Sequence, residues 1–245
     1  MNRTVLFIVG LFLLINTQML SQSDASMEFE FLPSGLHFQP LKANMREPRI
    51  GVLYFPSNAN LKVDIGNSID LLKFKFPGIR SRLTLGIDFM AYAQATSYSG
   101  NRLQIGALDG FFGGNASFSK DYGEDKLLSR FRIIHNSAHF ADGQYDLDKD
   151  QWIGGRYPIP FTKDFGELTV GYLYNPEDFK SRAYGSISYS TLIRPLSLKK
   201  WGCNGGFEIA RTKIINELFD KRVYTFAAYH FDLLGLPDYV GNNHL

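Results

Sequence analysis

The sequence predicts an all-β fold, an antiparallel transmembrane β-barrel of about 10–12 strands behind a cleaved signal peptide. Three observations carry that expectation. The chain is rich in glycine and aromatics, its apolar residues alternate with polar ones over unusually long runs, and its only long apolar stretch is at the N-terminus and too short to span a bilayer.

Composition narrows the class first. The 245 residues carry 44% hydrophobic and 20% charged side chains, too apolar for a disordered chain, and include 23 Gly, 21 Phe and 13 Tyr, an excess that favours strands over helices. Lysine and arginine number 26 against 24 acidic residues, so the net charge of +2 gives no electrostatic case for nucleic acid. The lone Cys203 excludes an internal disulfide framework, a four-cysteine zinc site and a C-x-x-C redox pair. No cofactor is expected.

The N-terminus reads as an address. Arg3 precedes an apolar run from Val5 to Ile15, followed by polar Asn16-Thr17-Gln18 and small residues at Ser21 and Ser23 to Ala25. That order is a secretory signal pattern, predicting residues 1–25 as a signal peptide cleaved between Gln22 and Ser26. Residues 26–48 are then an N-terminal periplasmic segment and 49–245 the barrel domain.

Alternation marks the strands. From Arg82 to Ala95, Leu83, Leu85, Ile87, Phe89, Ala91, Ala93 and Ala95 share one parity, opposed by Arg82, Thr84, Asp88, Tyr92 and Gln94. A globular strand averages about five or six residues, whereas a tilted membrane strand needs roughly 9 to 11. Leu61, Val63 and Ile65 alternate with Lys62 and Asp64, then Leu71-Leu72 shifts the phase, which predicts a β-bulge there. Leu168 to Tyr174, Ala183 to Tyr189 and Trp201 to Ile209 repeat the pattern. Turn-like clusters such as Phe76-Pro77-Gly78 and Asn175-Pro176-Glu177-Asp178 separate the runs. The expected strands lie near 49–55, 60–75, 80–97, 103–119, 126–141, 152–161, 166–174, 181–193, 201–214 and 222–234. Tyr54-Phe55, Tyr92, Tyr98, Tyr172, Tyr174 and Tyr184 are expected to form interfacial girdles. Residues 240–245 read as a loop, which predicts a last strand capped unusually or a truncated sequence. A secreted periplasmic β-sandwich is the alternative, with shorter strands.

Two segments stand out. Phe38 to Ile50 contains Arg46-Glu47-Pro48-Arg49, and Arg130 to Asp142 contains Arg130, Arg132, His135, Ser137 and His139. Both resemble motifs of a bacterial family known only as domain of unknown function number 1207, and the likeness extends from about residue 36 to the end. It implies a signal peptide and an envelope or outer-membrane β-barrel without an established activity. The outer membrane with its lipid and lipopolysaccharide, and the barrel-assembly machinery, are then the expected location and partners.

Arg46, Glu47 and Arg49 are read as a clamp at the periplasmic rim, or as a binding site for a periplasmic partner. Arg130 and Arg132 are expected to face the lumen, because Phe131 and Ile133 suit lipid. A bulge at Ile133-Ile134 is expected to turn His135, Ser137 and His139 inward as well, into a lumenal hydrogen-bond network with the arginines. A His-x-Ser pair also resembles the outer-membrane lipid A deacylases, which implies His135 as base and Ser137 as nucleophile, although no glutamate follows on the next strand until Glu167, and Asp148 and Asp150 are loop stand-ins. No metal site is expected: on a strand His135 and His139 stand about 13 Å apart. The calcium-like start Asp146-Leu147-Asp148-Lys149-Asp150 meets Gln151 where glycine is required.

Overall fold

A computed structural model describes residues 26–58, 60–98, 102–140, 145–146, 148–155, 161–176, 179–196, 198–211 and 225–234. The expected signal peptide and the loop-like C-terminal residues lie outside these. The described chain is all-β and antiparallel, with no α-helix.

Ten strands build one sheet: β1 (Glu28–Phe31), β2 (Ile50–Phe55), β3 (Asn60–Phe76), β4 (Ser81–Tyr98), β5 (Arg102–Tyr122), β6 (Asp125–Phe140), β9 (Phe161–Tyr174), β10 (Phe179–Arg194), β11 (Trp201–Arg211) and β12 (Thr225–Leu234). β7 (Tyr145–Asp146) and β8 (Gln151–Trp152) form a small hairpin between β6 and β9. From β3 onward each strand pairs with its sequence neighbour, that hairpin aside, so the sheet is a meander. It curls into a half-barrel, and among the described residues no ladder joins β12 to β1 or β2. The two packed sheets of a sandwich are not what these strands form.

The expected strand 152–161 is not found as such: Trp152 ends β8, Ile153–Gly155 form a 3-10 turn and residues 156–160 lie outside the described ones, while the expected strand 166–174 starts five residues earlier as β9, because the polar run Thr162-Lys163-Asp164 hides an alternation that the backbone carries straight through. β1 went unpredicted because its four residues are too few to show a period. The bulge at Leu71 is present: the β3–β4 register slips between Asp70 and Leu72. Gly86 faces that slip, where an added Cβ would lie 2.6 Å from the Ile69 carbonyl oxygen.

The alternation sorts side chains onto two unlike faces. On β4, Thr84, Asp88, Met90 and Tyr92 turn to the concave side and are buried, while Leu85, Ile87 and Phe89 stand exposed on the convex side. On β9 and β10, Glu167, Thr169, Arg182, Ser186, Ser188 and Ser190 are buried, while Val170, Tyr172 and Ile187 are exposed. Two of the expected girdle tyrosines depart from this: Tyr92 and Tyr184 lie on the polar parity and are buried within the curl. Tyr54, Tyr172 and Tyr174 do face outward, and the side chain of Tyr98 lies outside the described residues.

The concave face also has apolar contacts. Met90, Tyr92, Phe111, Ile134 and Phe165 make one cluster, and Phe38, Leu41, Leu128 and Tyr184 another. The second depends on a segment that leaves the sheet. β1 and β2 occupy the same edge of β3, pairing with its last and first residues respectively. Between them residues 32–49 depart after the Leu32 amide donates to the Leu71 carbonyl oxygen at 2.8 Å, and this strap crosses the concave face before rejoining the edge at Ile50.

Candidate functional site

The strap is held across seven strands by polar contacts between groups distant in sequence. The His37 amide donates to the Asp70 carboxylate at 2.7 Å, and its Nε2 lies 2.7 Å from the Ser119 hydroxyl. The Phe38 ring lies beneath two guanidinium groups, 4.4 Å from Arg130 and 5.5 Å from Arg182. The carbonyl oxygens of Gln39 and Pro40 accept from Arg182 at 2.7 and 2.8 Å, and Arg182 also pairs with Glu208 at 2.7 Å. Leu41, 1% exposed, anchors the middle of the strap in the second apolar cluster.

Glu47 is the centre. Pro48 follows it and the Glu47 amide closes a turn onto the Asn44 carbonyl oxygen at 3.2 Å, so the carboxylate points down into the curl. Arg130 donates to it through both Nη atoms, one at 2.9 Å, a forked pair that is stronger and more directional than a lysine contact. Arg132 approaches the same carboxylate at 3.5 Å while its Nε donates to Glu167 at 2.9 Å. Asn204 donates to the other Glu167 oxygen at 3.2 Å, and the Tyr92 hydroxyl donates to the Glu47 carbonyl oxygen. Arg132, Glu47 and Glu167 are each 1–2% exposed, so this is a desolvated relay of alternating charge. Burial by itself would raise the Glu47 pKa, but Arg130 and Arg132 outweigh it and hold the carboxyl below its ordinary value. Arg46 binds Asp232 on β12, and Arg49 binds Asp64 at 2.5 Å while lying 4.3 Å over the Tyr92 ring.

Five of the candidate binding residues therefore meet: Arg46, Glu47, Arg49, Arg130 and Arg132. Glu47 is not at a rim, as the clamp reading had it. Two arginines on the concave face and the turn onto Asn44 hold its carboxylate inside the curl, where the paired charges offset each other's desolvation. His139, the sixth, is exposed and joins nothing in this cluster.

The expected inward turn of His135, Ser137 and His139 does not occur. The β5–β6 and β6–β9 registers run without a slip from Lys126 to Ala138, so β6 has no bulge. Ile134, 1% exposed, is instead an inward residue, filling the first apolar cluster, and Asn136 beside it donates to the Gly110 carbonyl oxygen. His135 and Ser137 thus share the convex face with Phe131 and Ile133. There His135 lies between Phe112, ring centroids 4.8 Å apart, and Asp164, whose Oδ1 is 2.5 Å from Nδ1. Asp164, opposite His135 in the β6–β9 register, is the acid that sequence reading did not find. Ser137 makes no side-chain hydrogen bond to His135 among the described contacts. Asp146 accepts from the amides of Asp148 and Lys149, so this carboxylate is engaged within its own turn.

Two cavities flank the strap. One of about 840 Å³ lies toward the tight turns that join β3 to β4 and β5 to β6, and is lined by His37, Lys73, Arg82, Lys126 and Lys180 among others. The other, about 430 Å³, lies toward the opposite strand ends, beside Arg46, Lys62, Gln94 and Asp109. The chain matches no protein-family profile, no curated protein and no solved structure.

Proposed function

We propose that this chain is a bacterial outer-membrane β-barrel protein whose lumen is plugged by its own strap, with a structural or binding role rather than that of an open conduit. The observation that carries the reading is the inverted distribution of polarity. Ile50, Val52, Ile65, Phe89, Ile133, Phe207, Phe231 and Leu233 stand exposed on the convex face, while buried arginines, carboxylates and hydroxyls fill the concave one. A water-soluble fold would lose roughly 25 cal/mol for each Å² of apolar surface left wet, and a patch of this extent marks contact with an apolar phase. Strands of 14 to 21 residues in β3–β6, β9 and β10 exceed what a bilayer crossing needs.

Outer-membrane lipid and lipopolysaccharide are then the partners of the convex face, and the barrel-assembly machinery its route of insertion. The test is fractionation of the full chain expressed with its leader in a Gram-negative host. It should sediment with the outer membrane, resist a urea wash and migrate faster unboiled than boiled. Recovery as a folded protein soluble without detergent would end the reading. The strap further implies little or no conductance in planar bilayers.

A second reading is favoured by Asp164. An acid orienting His135, with Ser137 two residues along on the same outward face, is the base and orienter of an acyl-ester hydrolase turned toward lipid. Overexpression should then deacylate lipopolysaccharide, and Ser137→Ala and Asp164→Asn should abolish the change. An unaltered acylation pattern with the wild-type chain would remove this reading and leave the first intact.

A further inference from the structure

The larger cavity has a charge pattern that the plug does not explain. Most arginines of the concave face are matched: Arg130 and Arg132 with Glu47 and Glu167, Arg182 with Glu208, Arg49 with Asp64. Toward the tight turns the matching fails. Arg82 and Lys126 share one carboxylate, Asp121, at 2.5 and 3.1 Å, and Lys180 has no carboxylate partner among the described residues. Lys73 in the same wall is matched by Glu30 at 3.1 Å, so the excess of positive charge lies at Arg82, Lys126 and Lys180, three cations facing the single carboxylate of Asp121, while Asp70 already accepts the His37 amide.

Two neutral groups of the same lining each keep one buried polar atom unpaired. Asn44 is 3% exposed and its Nδ2 has no hydrogen-bond partner, although its Oδ1 accepts the Arg46 amide. His37 holds Ser119 through Nε2, while its buried Nδ1 also lacks a partner. A buried amide donor left without an acceptor is destabilising, so a ligand oxygen that accepts from it is favoured. The same cavity is also lined by the apolar side chains Leu128, Leu173 and Phe226.

We propose that this cavity binds an organic phosphate, its phosphoryl oxygens taken by Arg82, Lys126 and Lys180 with Asn44 as a neutral donor, and its carbon body against the apolar wall. A phosphoryl group satisfies several convergent donors at once, which a single carboxylate does not. The volume of about 840 Å³ exceeds what inorganic phosphate needs and suits a ligand of drug-like size. The site belongs to the curl and the strap, so it stands whether or not the convex face lies in lipid.

The test is isothermal titration of the full chain, folded in detergent micelles, with phenyl phosphate and separately with dihexanoylphosphatidic acid, at ionic strength held constant with chloride and with inorganic phosphate as the carbon-free control. Binding of either organic ligand, tighter than inorganic phosphate, is expected, weakened about tenfold or more in the Lys126→Gln/Lys180→Gln double variant and unchanged in Lys62→Gln, which lines the other cavity. Phenyl phosphate binding identifies a water-soluble source, binding of the lipid analogue alone identifies a headgroup, and inorganic phosphate binding as tightly as both overturns the organic ligand. A far-ultraviolet circular dichroism spectrum and melting profile matching the wild type establish that each variant is folded. Absence of binding by both ligands, or equal affinity in the double variant, overturns the proposal.

Discussion

Alternate residues of β6 live in different worlds. Arg130, Arg132, Ile134 and Asn136 are buried in the curl, whereas Phe131, Ile133, His135 and Ser137 look out from the convex side. One strand therefore supplies both the forked arginine that grips the strap and the histidine of a separate outward-facing set. The comparison teaches that a strand's period of two assigns medium before it assigns role. Residues adjacent in a motif, such as Arg132 and Ile133, need have nothing to do with each other, while Glu47 and Arg130, 83 positions apart, form one unit.

The sharpest way to break the inward half is Glu47→Ala. It strands Arg130, and leaves Arg132 with Glu167 alone, in a space where each was nine-tenths or more buried. Removing one partner of a buried ion pair costs about 3–5 kcal/mol, so urea unfolding in micelles should shift by that amount. Combining Glu47→Leu with Arg130→Met should recover most of the loss, because an apolar pair removes the uncompensated charge. Equal stability of Glu47→Ala and wild type would mean that the strap is not held by this relay.

The outward half is tested by sign. Ile133 is 62% exposed near the middle of β6, and replacing an exposed isoleucine by arginine in a water-soluble protein is neutral within about 0.5 kcal/mol. Facing the bilayer midplane, the same Ile133→Arg should destabilise by about 2–4 kcal/mol in reconstituted vesicles. The effect should fade for an arginine placed near a strand end. A neutral Ile133→Arg in vesicles would count against a lipid-facing convex side.

How much of this was legible in the sequence follows from the same parity. The antiparallel all-β class, the bulge at Leu71, and the inward set Thr84, Asp88, Glu167, Thr169, Arg182 and Ser186 were readable, because alternation is local and each strand repeats it. The fate of His135 was not. An isoleucine was assumed to belong outside, and nothing local reveals that Ile134 fills a gap between Met90, Tyr92, Phe111 and Phe165. The strap was equally hidden: Phe38, Leu41 and Glu47 show no period, and their partners come from strands about 45 to 145 residues later. A segment mixing charges with apolar residues such as Phe38 and Leu41, ahead of strands bearing arginines on their polar parity, was the available signal.

The smallest of these effects isolates the strap from the sheet through pH. His37 is on the strap, and burial, followed by Arg82, Lys73 and Lys126, lowers its pKa from 6.5 to about 4. In the unfolded chain the imidazole takes up a proton below about 6.5, whereas in the fold it remains neutral until about 4. The unfolded state therefore binds more protons across that window, and stability falls as pH drops from 6.5 toward 4, then levels. The full shift corresponds to at most about 3 kcal/mol, reduced by whatever water reaches the partly buried ring. Glu47 adds a loss of the same sign at lower pH, since its depressed pKa keeps its contribution until the carboxyl protonates. In His37→Gln the decline between pH 6.5 and 4 should flatten while the more acidic one persists. If the slope in that window is unchanged in His37→Gln, the imidazole is not desolvated against the strands, and the N-terminal end of the strap does not lie where its contacts to Asp70 and Ser119 put it.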